Sequence, residues 1–283
     1  MAGTSPHSWP PRPAPSRLTL NQGRPGIIAV VFTFSLQSGS NGNSIYVEAG
    51  DVRLLFDAGI SGREAAARMA AHGRDIRDCT ALIISHDHSD HISGAGIYHR
   101  KFKLPVYMTK AAYQSVGRDM LKSSTPTFFE PGEFLRFSDV AVQTIRTPHD
   151  GLDTVCFVIE HAGRRLGIMT DLGHPFRALE EALETVDAAY LECNYDHHLL
   201  WNGRYTERLK RRIAGQGGHL SNDEAAEITQ RTVTGRMKWL AAAHLSEENN
   251  RPELAIDAHR RRVGSMLPVF VASRYEVGRM LEV

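Results

Sequence analysis

Short runs of apolar residues, separated by turns, set the pattern of the chain from residue 27 onward. The runs at 27–36, 44–48 and 52–57 are rich in β-branched and aromatic residues and have the length of strands. Ala49-Gly50-Asp51 joins the second and third runs as a hairpin turn. The domain is therefore expected to open with a sheet.

A capped helix follows, and strands and helices alternate after it. Ser61 and Glu64 form a capping-box pattern, and Gly73 is the stop signal. Strands are predicted at 80–85, 140–147, 154–160, 165–171, 187–193, 237–243 and 268–272. Helices are predicted at 92–100, 110–121, 175–185, 222–234 and 252–263. Hairpins mixed with helices predict an α/β (α+β) fold of two packed sheets with helices outside, rather than a doubly wound parallel sheet.

Composition adds few constraints to this picture. Of the 283 residues, 42% are hydrophobic and 23% are charged, which is typical of a globular protein and excludes collagen-like or wholly disordered chains. The 33 Lys and Arg against 32 Asp and Glu leave a net charge of +1. Binding to nucleic acid or to a membrane would therefore need a local charged patch.

Cysteine usage and hydropathy indicate the compartment. Cys79, Cys156 and Cys193 are too few and too scattered for a disulfide framework, and an odd count suits a reducing environment. The longest unbroken apolar run, 27–32, is far shorter than the ~20 residues that a membrane helix needs. We therefore expect a cytoplasmic protein that does not span a membrane.

Residues 1–26 differ from the rest of the chain. They contain six of the 13 prolines and no acidic residue. Proline breaks the amphipathic helix that a transit peptide needs. We therefore expect a disordered, basic, Pro-rich arm rather than a targeting segment.

Histidines concentrate at the end of the predicted strand at 80–85. His86, His88, Asp90 and His91 lie within six residues. Because side chains at i and i+2 of a strand end point to one side, His86 and His88 can bind one ion, and the turn then directs Asp90 and His91 toward a second ion. So many N and O donors exceed the four ligands of a closed tetrahedral site. The pattern favours a two-metal site over a solvated, histidine-rich turn.

Three more candidate ligands, His149, Asp171 and His244, stand at or just past the ends of predicted apolar strands. Strand ends are rigid positions from which side chains can reach a shared site, and a carboxylate can bridge two cations. Each residue alone could be an ordinary hydrogen-bonded group at a strand end. Their recurrence favours a common metal site.

This ligand pattern, preceded by Phe56-Asp57-Ala58-Gly59, resembles the metallo-β-lactamase fold hydrolases. The resemblance implies a four-layer αββα sandwich, here as one domain at 27–283. It also implies the ligands of each ion: His86, His88 and His149 for the first, Asp90, His91 and His244 for the second, and Asp171 for both. Asp57 matches a buried aspartate that orients ligands in this family, with a turn-forming role before Gly59 as the alternative.

Further segments resemble the YycJ/WalJ-type branch of the family, cytoplasmic proteins regarded as DNA exonucleases. The matching segments are SGSNGN at 38–43, DLGH at 171–174, LECNYD at 191–196, GHLSNDEAAE at 218–227 and AHLSEENN at 243–250. Together they extend from about residue 33 to 272. The resemblance implies nuclease activity.

Two pieces also resemble tRNase Z. Glu192 follows a predicted strand, and His219 starts a helix ahead of an Ala-Ala pair. In that relative the histidine supports departure of the leaving oxygen, and a carboxylate orients the histidine. Cys193 and Tyr195 stand where we expect Ser and His in the YycJ/WalJ branch, and the flexible arm of tRNase Z is missing from the sequence. These departures argue against pre-tRNA as the substrate.

Phosphodiester cleavage suits these residue types. Two cations about 3.5–4 Å apart can activate a water molecule and neutralise phosphate oxygens. His219 can protonate the leaving oxygen, and Asp90 and Glu192 complete the expected catalytic set. Alternatively, His219 simply precedes the helix capped by Ser221. His174 could contact phosphate or be a plain helix-start residue.

A basic stretch at 203–218 leads into His219. Glu207 alone opposes its five cationic side chains: Arg204, Arg208, Lys210, Arg211 and Arg212. The last four are predicted to bind the nucleic-acid backbone near the metals. The alternative is an ordinary basic helix face.

The sequence therefore predicts a binuclear metal-dependent phosphodiesterase, a DNA exonuclease that uses two divalent transition-metal ions, Zn²⁺ or Mn²⁺. One alternative is a hydrolase of a small ester, thioester or lactone that uses the same metals, and another is an inactive metal-binding module. The sequence motifs of P-loop, serine-hydrolase, zincin and dinucleotide-binding enzymes are missing. Metal identity, strand polarity and oligomeric state stay open at this point.

Overall fold

β-Sheets form the centre of the protein. The computed structural model describes residues 30–121 and 124–283, and in this part of the chain there are two sheets of seven strands each. The predicted arm at 1–26 lies outside the described residues. The first sheet contains β1 (Val31–Gln37), β2 (Ser44–Ala49), β3 (Val52–Phe56), β4 (Ala81–Ile83), β5 (Val106–Met108), β6 (Thr127–Phe128) and β14 (Leu281–Glu282). The second sheet contains β7 (Phe134–Phe137), β8 (Val140–Arg146), β9 (Val155–His161), β10 (Arg164–Met169), β11 (Ala188–Glu192), β12 (Trp239–Ala243) and β13 (Val269–Val271).

Each sheet is antiparallel on one side and parallel on the other. The first has the order β14-β1-β2-β3-β4-β5-β6, with antiparallel pairs up to β3 and parallel pairs beyond it. The second has the order β13-β12-β11-β10-β9-β8-β7, parallel from β13 to β10 and antiparallel from there on. Because parallel strands end at the same edge of a sheet, residues that follow β10, β11 and β12 come together in space.

Helices cover the outer faces of both sheets. They are α1 (Gly62–Ala70), α2 (Ser89–Ile92), α3 (Ala95–Phe102), α4 (Lys110–Val116), α5 (Arg177–Leu183), α6 (His197–Asn202), α7 (Glu207–Ile213), α8 (Asn222–Thr232) and α9 (Pro252–Val263). Helices α1, α3 and α4 pack on the first sheet, and α5, α8 and α9 pack on the second.

The core follows the two-residue period of the strands. On β3, Leu54 and Phe56 face the second sheet, whereas Leu55 faces the helices. Phe56 meets Phe157 of the second sheet with a ring-centroid distance of 5.0 Å. One apolar layer thus joins the sheets, and a second and third layer join each sheet to its helices. The predicted αββα sandwich is confirmed.

Local sequence signals account for several element boundaries. Ser61 and Glu64 form the predicted capping box at α1, and Ser221 and Glu224 form a second box at α8. In the predicted hairpin between β9 and β10, Ala162 has φ 48° and the next residue, a glycine, has φ 81°, as a type I′ turn requires. These short-range patterns therefore fix the ends of elements that tertiary packing then orients.

Two predicted helices are wrong in extent. The helix expected at 92–100 is two helices, α2 and α3, because the chain turns at Gly94, whose N–H donates to the carbonyl of Ala58. The helix expected at 110–121 ends at Val116, because Gly117 has φ 82° and a 3₁₀ turn follows it. The short strands β5, β6, β7 and β14 were not predicted, because runs of two to four residues carry too little pattern without their sheet neighbours.

Backbone contact around Gly59 ties the loop after β3 to the histidine-rich loop. The N–H of Ala58 donates to the carbonyl of His91, and the N–H of Asn43 donates to the carbonyl of Asp90. A Cβ on Gly59 would lie only 1.7 Å from the carbonyl oxygen of Asp90. A side chain at Gly59 must therefore push these loops apart.

We expect Gly59→Ala to lower the free energy of unfolding by about 1–3 kcal/mol, the usual cost of an overpacked site. Urea unfolding followed by circular dichroism measures this change. Gly235→Ala is the matched control, because a Cβ there meets no described atom within 4 Å, and its effect should stay within about 0.5 kcal/mol. Equal stability of the two variants would contradict the tight approach at Gly59.

Candidate metal centre and active site

The candidate ligands come from both sheets and meet at one edge of the sandwich. Each follows a strand or begins the helix after it: His86 and His88 after β4, Asp90 and His91 in α2, His149 after β8, Asp171 after β10, and His244 after β12. All seven side chains that the sequence predicts as ligands are brought together here. The sheets bring these strand ends to one edge, and the loops that follow the strands carry most of the ligands.

The first cluster consists of His86, His88 and His149, whose ring nitrogens lie within 4.8 Å of one another. His88 Nδ1 and His149 Nε2 are 3.2 Å apart. His86 is fully buried, and its Nε2 has no hydrogen-bond partner among the described residues. A buried imidazole nitrogen without a partner is costly unless a ligand satisfies it.

The second cluster consists of Asp90, His91 and His244. The Oδ2 atom of Asp90 lies 3.4 Å from His91 Nε2 and 3.3 Å from His244 Nε2. Both histidines are buried, whereas Asp90 is partly exposed. Two imidazoles and one carboxylate are a donor set that suits a divalent transition metal.

Asp171 lies between the two clusters. Its Oδ2 is 3.2 Å from His91 Nε2, and its Oδ1 is 3.6 Å from His149 Nε2. The carboxylate is almost fully buried, and Oδ2 finds no hydrogen-bond donor in the described part of the chain. One carboxylate therefore faces both clusters, as a bridging ligand must.

Three of these strand ends have strained backbone. Asp57, Asp171 and His244 have φ values of 63°, 57° and 57°, in the left-handed region that residues with a Cβ rarely adopt. Asp57 follows β3 directly and His244 follows β12 directly. Such strain persists only where surrounding contacts enforce it, and it gathers at functional sites.

Asp57 orients the first-sheet half of the site. Its Oδ1 accepts from the N–H of Ser85 at 2.8 Å, and its Oδ2 accepts from His91 Nδ1 at 2.8 Å. Because the Asp57 carboxylate binds Nδ1, the other ring nitrogen of His91, Nε2, is directed toward Asp90 and Asp171. The position of Asp57 thus matches the orienting role expected from the sequence.

Glu192 has the same relation to the second-sheet half. Its fully buried carboxylate accepts from His219 Nδ1 at 2.8 Å and from His244 Nδ1 at 3.0 Å. It also accepts from the N–H groups of Asp171, Leu172 and Leu220 at 3.0–3.2 Å. Burial opposes its charge, but the charge and hydrogen bond of His219 and the hydrogen bond from His244 outweigh burial and lower the pKa of Glu192 to about 2. The Glu192 carboxylate is therefore occupied by two imidazoles and three backbone N–H groups.

Charge in the site is divided between carboxylates and imidazoles. Burial lowers the pKa of the His86 imidazole well below its ordinary value. Burial acts on His91 in the same direction, but the carboxylates of Asp171, Asp90 and Asp57 outweigh it and raise the His91 pKa well above its ordinary value. The pKa of His244 is raised to about 10, again because carboxylates outweigh burial. Divalent cations that bind here would displace such protons, since metal ligands must be deprotonated.

His219 lies beside the two clusters. Its ring centroid is 5.0 Å from that of His149 and 5.2 Å from that of His244, and its side chain is 19% exposed. The carboxylate of Glu192 accepts from Nδ1 of His219. The other ring nitrogen, Nε2, is therefore not bonded to Glu192. His219 therefore has an oriented imidazole at the edge of the site, as an acid that serves a bound substrate needs.

Hydrogen bonds hold the segment before His219 next to the first cluster. The carbonyl of Gly218 accepts from His149 Nδ1 at 2.8 Å, and the carbonyl of Gly217 accepts from the N–H of Asp150 at 3.0 Å. Arg212 donates to both carboxylate oxygens of Asp150, at 2.7 and 3.1 Å. The pair Asp150–Arg212 thus holds this segment next to the ligands. This contact could not be found from the sequence, because its partners are 62 residues apart.

The predicted phosphate-binding residues lie in different surroundings. Lys210 is buried and its Nζ donates to the carbonyl of Trp201, so the prediction that it meets a phosphate is wrong. Arg212 is paired with Asp150, whereas Arg208 and Arg211 are exposed on α7. These four residues are neighbours in the sequence. Their surroundings differ because one face of α7 packs against the domain and the other faces solvent.

His174 and Arg204 have local partners. His174 Nδ1 donates to the carbonyl of Gln216 at 2.7 Å, and His174 belongs to none of the ligand clusters found in the described residues. It precedes α5 without starting it, because that helix begins at Arg177. Arg204 pairs with Glu248, which neutralises its charge locally.

Two polar groups near the ligands were missed by the sequence analysis. Asn43 Nδ2 lies 3.3 Å from Asp90 Oδ2 and 3.1 Å from His91 Nε2. Asn194 Nδ2 donates to the carbonyl of His244 at 2.8 Å. Both lie in segments that resemble the YycJ/WalJ branch, at 38–43 and 191–196, which was the signal available for them.

Among the described residues, every helix is too short or too polar to cross a bilayer.

The chain is similar to known proteins over most of its length. Residues 38–201 match the metallo-beta-lactamase superfamily. Exodeoxyribonuclease WalJ of Streptococcus pneumoniae is 35% identical over 224 residues, which cover 78% of this chain and 83% of that protein. Exodeoxyribonuclease YycJ of Bacillus anthracis is 34% identical over 224 residues, with 78% and 84% covered.

A solved structure shows the same fold. The metallo-beta-lactamase fold protein YhfI from Bacillus subtilis superposes with a TM-score of 0.69 over 90% of this chain and 100% of that chain, at 17% identity. The expected family and the likeness to YycJ and WalJ are both confirmed. The chain is a hydrolase that belongs to the metallo-beta-lactamase superfamily.

Proposed function

We propose that the protein is a binuclear metal-dependent phosphodiesterase that removes nucleotides from DNA ends. One observation carries the proposal: two clusters of imidazole and carboxylate donors share Asp171, and an oriented histidine, His219, stands beside them. The names of the two exodeoxyribonuclease relatives support nucleic acid, and DNA in particular, as the substrate. The test is to incubate the protein with end-labelled single- and double-stranded DNA and RNA, with Mn²⁺ or Zn²⁺ added. Release of mononucleotides from DNA supports the proposal, and inertness toward every substrate contradicts it.

In this proposal each cluster holds one divalent ion. His86, His88 and His149 hold the first ion, Asp90, His91 and His244 hold the second, and Asp171 holds both. The mixed imidazole and carboxylate donors suit Zn²⁺ or Mn²⁺. The unpartnered atoms His86 Nε2 and Asp171 Oδ2 fit such ions. Two ions held here would supply a more acidic water molecule and positive charge opposite the phosphate oxygens.

His219 is assigned to the proton of the leaving oxygen. Because Glu192 accepts from Nδ1, Nε2 is the atom that donates the proton to the departing 3′ or 5′ oxygen. Glu192 keeps the ring oriented. Asp90 serves as a ligand in this assignment, and Glu192 is a positioning residue.

Arg208 and Arg211 are assigned to phosphates beyond the scissile one. Both are exposed on α7, the helix that leads into the segment before His219. Lys210 and Arg212 are left out of this role because their charged groups are already bonded within the protein.

A cytoplasmic location is part of the proposal. The three cysteines are all free and buried, which suits a reducing compartment.

Metal analysis of Asp171→Asn tests the shared ligand. We expect this variant to lose at least one of about two bound ions, because its amide is a poor bridging ligand, and asparagine tolerates the left-handed backbone at this position. His174→Ala is the control and should retain both ions. Unchanged metal content in Asp171→Asn would remove Asp171 from the bridging role.

Kinetics of His219→Ala test the proton donor. We expect kcat on DNA to fall roughly 10²- to 10⁴-fold, the usual worth of a general acid, with both metal ions retained. The kcat on a nitrophenyl phosphodiester should fall much less, because its leaving group needs no proton. Equal losses on the two substrates would show that His219 has a structural role instead.

Salt dependence tests the exposed arginines. Each phosphate contact that is lost should reduce the slope of log affinity against log salt concentration by about 0.7–0.9. The double variant Arg208→Gln/Arg211→Gln should therefore reduce this slope by roughly twice that amount. Turnover of the nitrophenyl phosphodiester should not change. Arg204→Gln is the control, because Glu248 already neutralises that arginine. An unaltered slope in the double variant would leave α7 as an ordinary solvated helix face.

A further inference from the structure

An exposed aromatic ring, Tyr275, stands at the metal edge of the second sheet. Tyr275 is 60% exposed, although hydrogen bonds hold both its backbone and its hydroxyl group. Arg68 Nη2 donates to the Tyr275 carbonyl at 2.8 Å, and the Tyr275 hydroxyl donates to Glu247 at 2.7 Å. A large ring held rigidly in solvent offers a flat surface at a low entropic cost for binding.

Two adjoining clefts share Tyr275 as a wall. One has a volume of about 430 Å³ and is lined by apolar groups of Leu245, Pro252 and Val271. The other has a volume of about 390 Å³ and lies beside Asn41 and the loop that contains Gly59. Both volumes fall in the range of small-molecule sites.

Hydrogen bonds connect the walls of these clefts to the metal centre. Ser38 Oγ accepts from the N–H of His244 at 2.9 Å, and the N–H of Ser38 donates to the carbonyl of Ser273 at 2.9 Å. Arg274 Nη1 donates to the carbonyl of Leu245, the residue after His244. Tyr275 follows β13, which is parallel to its neighbour β12, so Tyr275 and the His244 ligand lie beyond the same edge of the sheet.

The charges around Tyr275 favour a neutral ring over a phosphate. Arg274 and Arg68 both line the clefts, and both are bonded within the protein. The Arg274 side chain is only 10% exposed and its guanidinium donates to Leu245 and to Glu247, while Arg68 donates to the carbonyls of Leu36 and Tyr275. The Glu247 carboxylate lines the apolar cleft and repels phosphate. Apolar walls, an aromatic face and a few polar atoms match a nucleobase, which stacks through its π-face.

We propose that Tyr275 is a stacking platform for a nucleobase next to the scissile phosphodiester, with the base seated in the cleft between Tyr275 and Pro252. This inference rests on the proposed nuclease function, which it extends by a base-binding subsite.

The test measures binding of a short single-stranded DNA with nuclease-resistant phosphorothioate linkages, by fluorescence anisotropy in the metal-loaded protein. Tyr275→Ala should weaken binding about 5- to 150-fold, which corresponds to the loss of 1–3 kcal/mol for one stacked base. Tyr275→Phe keeps the ring and should stay within about twofold of the native protein. Met266→Ala is the control, because Met266 is 84% exposed and lines neither cleft.

A DNA series in which one base at a time is missing locates the stacked base. At one position near the cleaved end, removal of the base should weaken binding to the native protein and leave binding to Tyr275→Ala unchanged. Metal content should be equal in all variants, which excludes damage to the metal centre. If Tyr275→Ala binds and digests DNA as the native protein does, the subsite is overturned and the nuclease function stands. If the native protein binds no DNA, both are overturned.

Discussion

The buried carboxylate of Glu192 holds the second-sheet half of the site together. It accepts five hydrogen bonds, from two imidazoles and three backbone N–H groups, and these donors belong to three separate loops. A buried carboxylate without such donors would cost several kcal/mol. Satisfaction of this one group therefore requires that Asp171, His219 and His244 adopt the positions in which they face the centre of the site.

Asp57 is the counterpart in the first sheet, where it fixes Ser85 and His91. The site lies where these two halves meet, and its ligand distances depend on how the sheets pack. The apolar layer between the sheets, with contacts such as Phe56 against Phe157, sets that packing. Stability and the geometry of the site are therefore linked, because each cluster takes ligands from both sheets and a shift of one sheet against the other would separate them. The strained backbone at Asp57 and Asp171 is sustained by the same contacts.

Local patterns predicted the longer elements well. Capping boxes, a type I′ turn and apolar runs depend on neighbours within a few residues, so they can be interpreted without the fold. The break at Gly94 and the strands of two to four residues depend on contacts with distant loops and strands, which those patterns do not contain. The same limit applied in the site. Asparagine is a common residue, and Asn43 and Asn194 could be recognised as part of the site only from their contacts with Asp90 and His244 in the structure.

The sequence by itself determined which chemical groups the site contains. Imidazoles and carboxylates are typical metal ligands, and their recurrence at the ends of apolar strands can be recognised from residue type and position alone. The sequence also predicted the layered fold, through the order of hairpins and helices and through the family resemblance. Tertiary structure alone decided which cations are exposed for a substrate. Lys210 and Arg211 are neighbours in one basic helix, yet helix packing buries the first and exposes the second. Tertiary structure also placed Tyr275 at the metal edge, because the contacts that hold it come from residues far away in the chain.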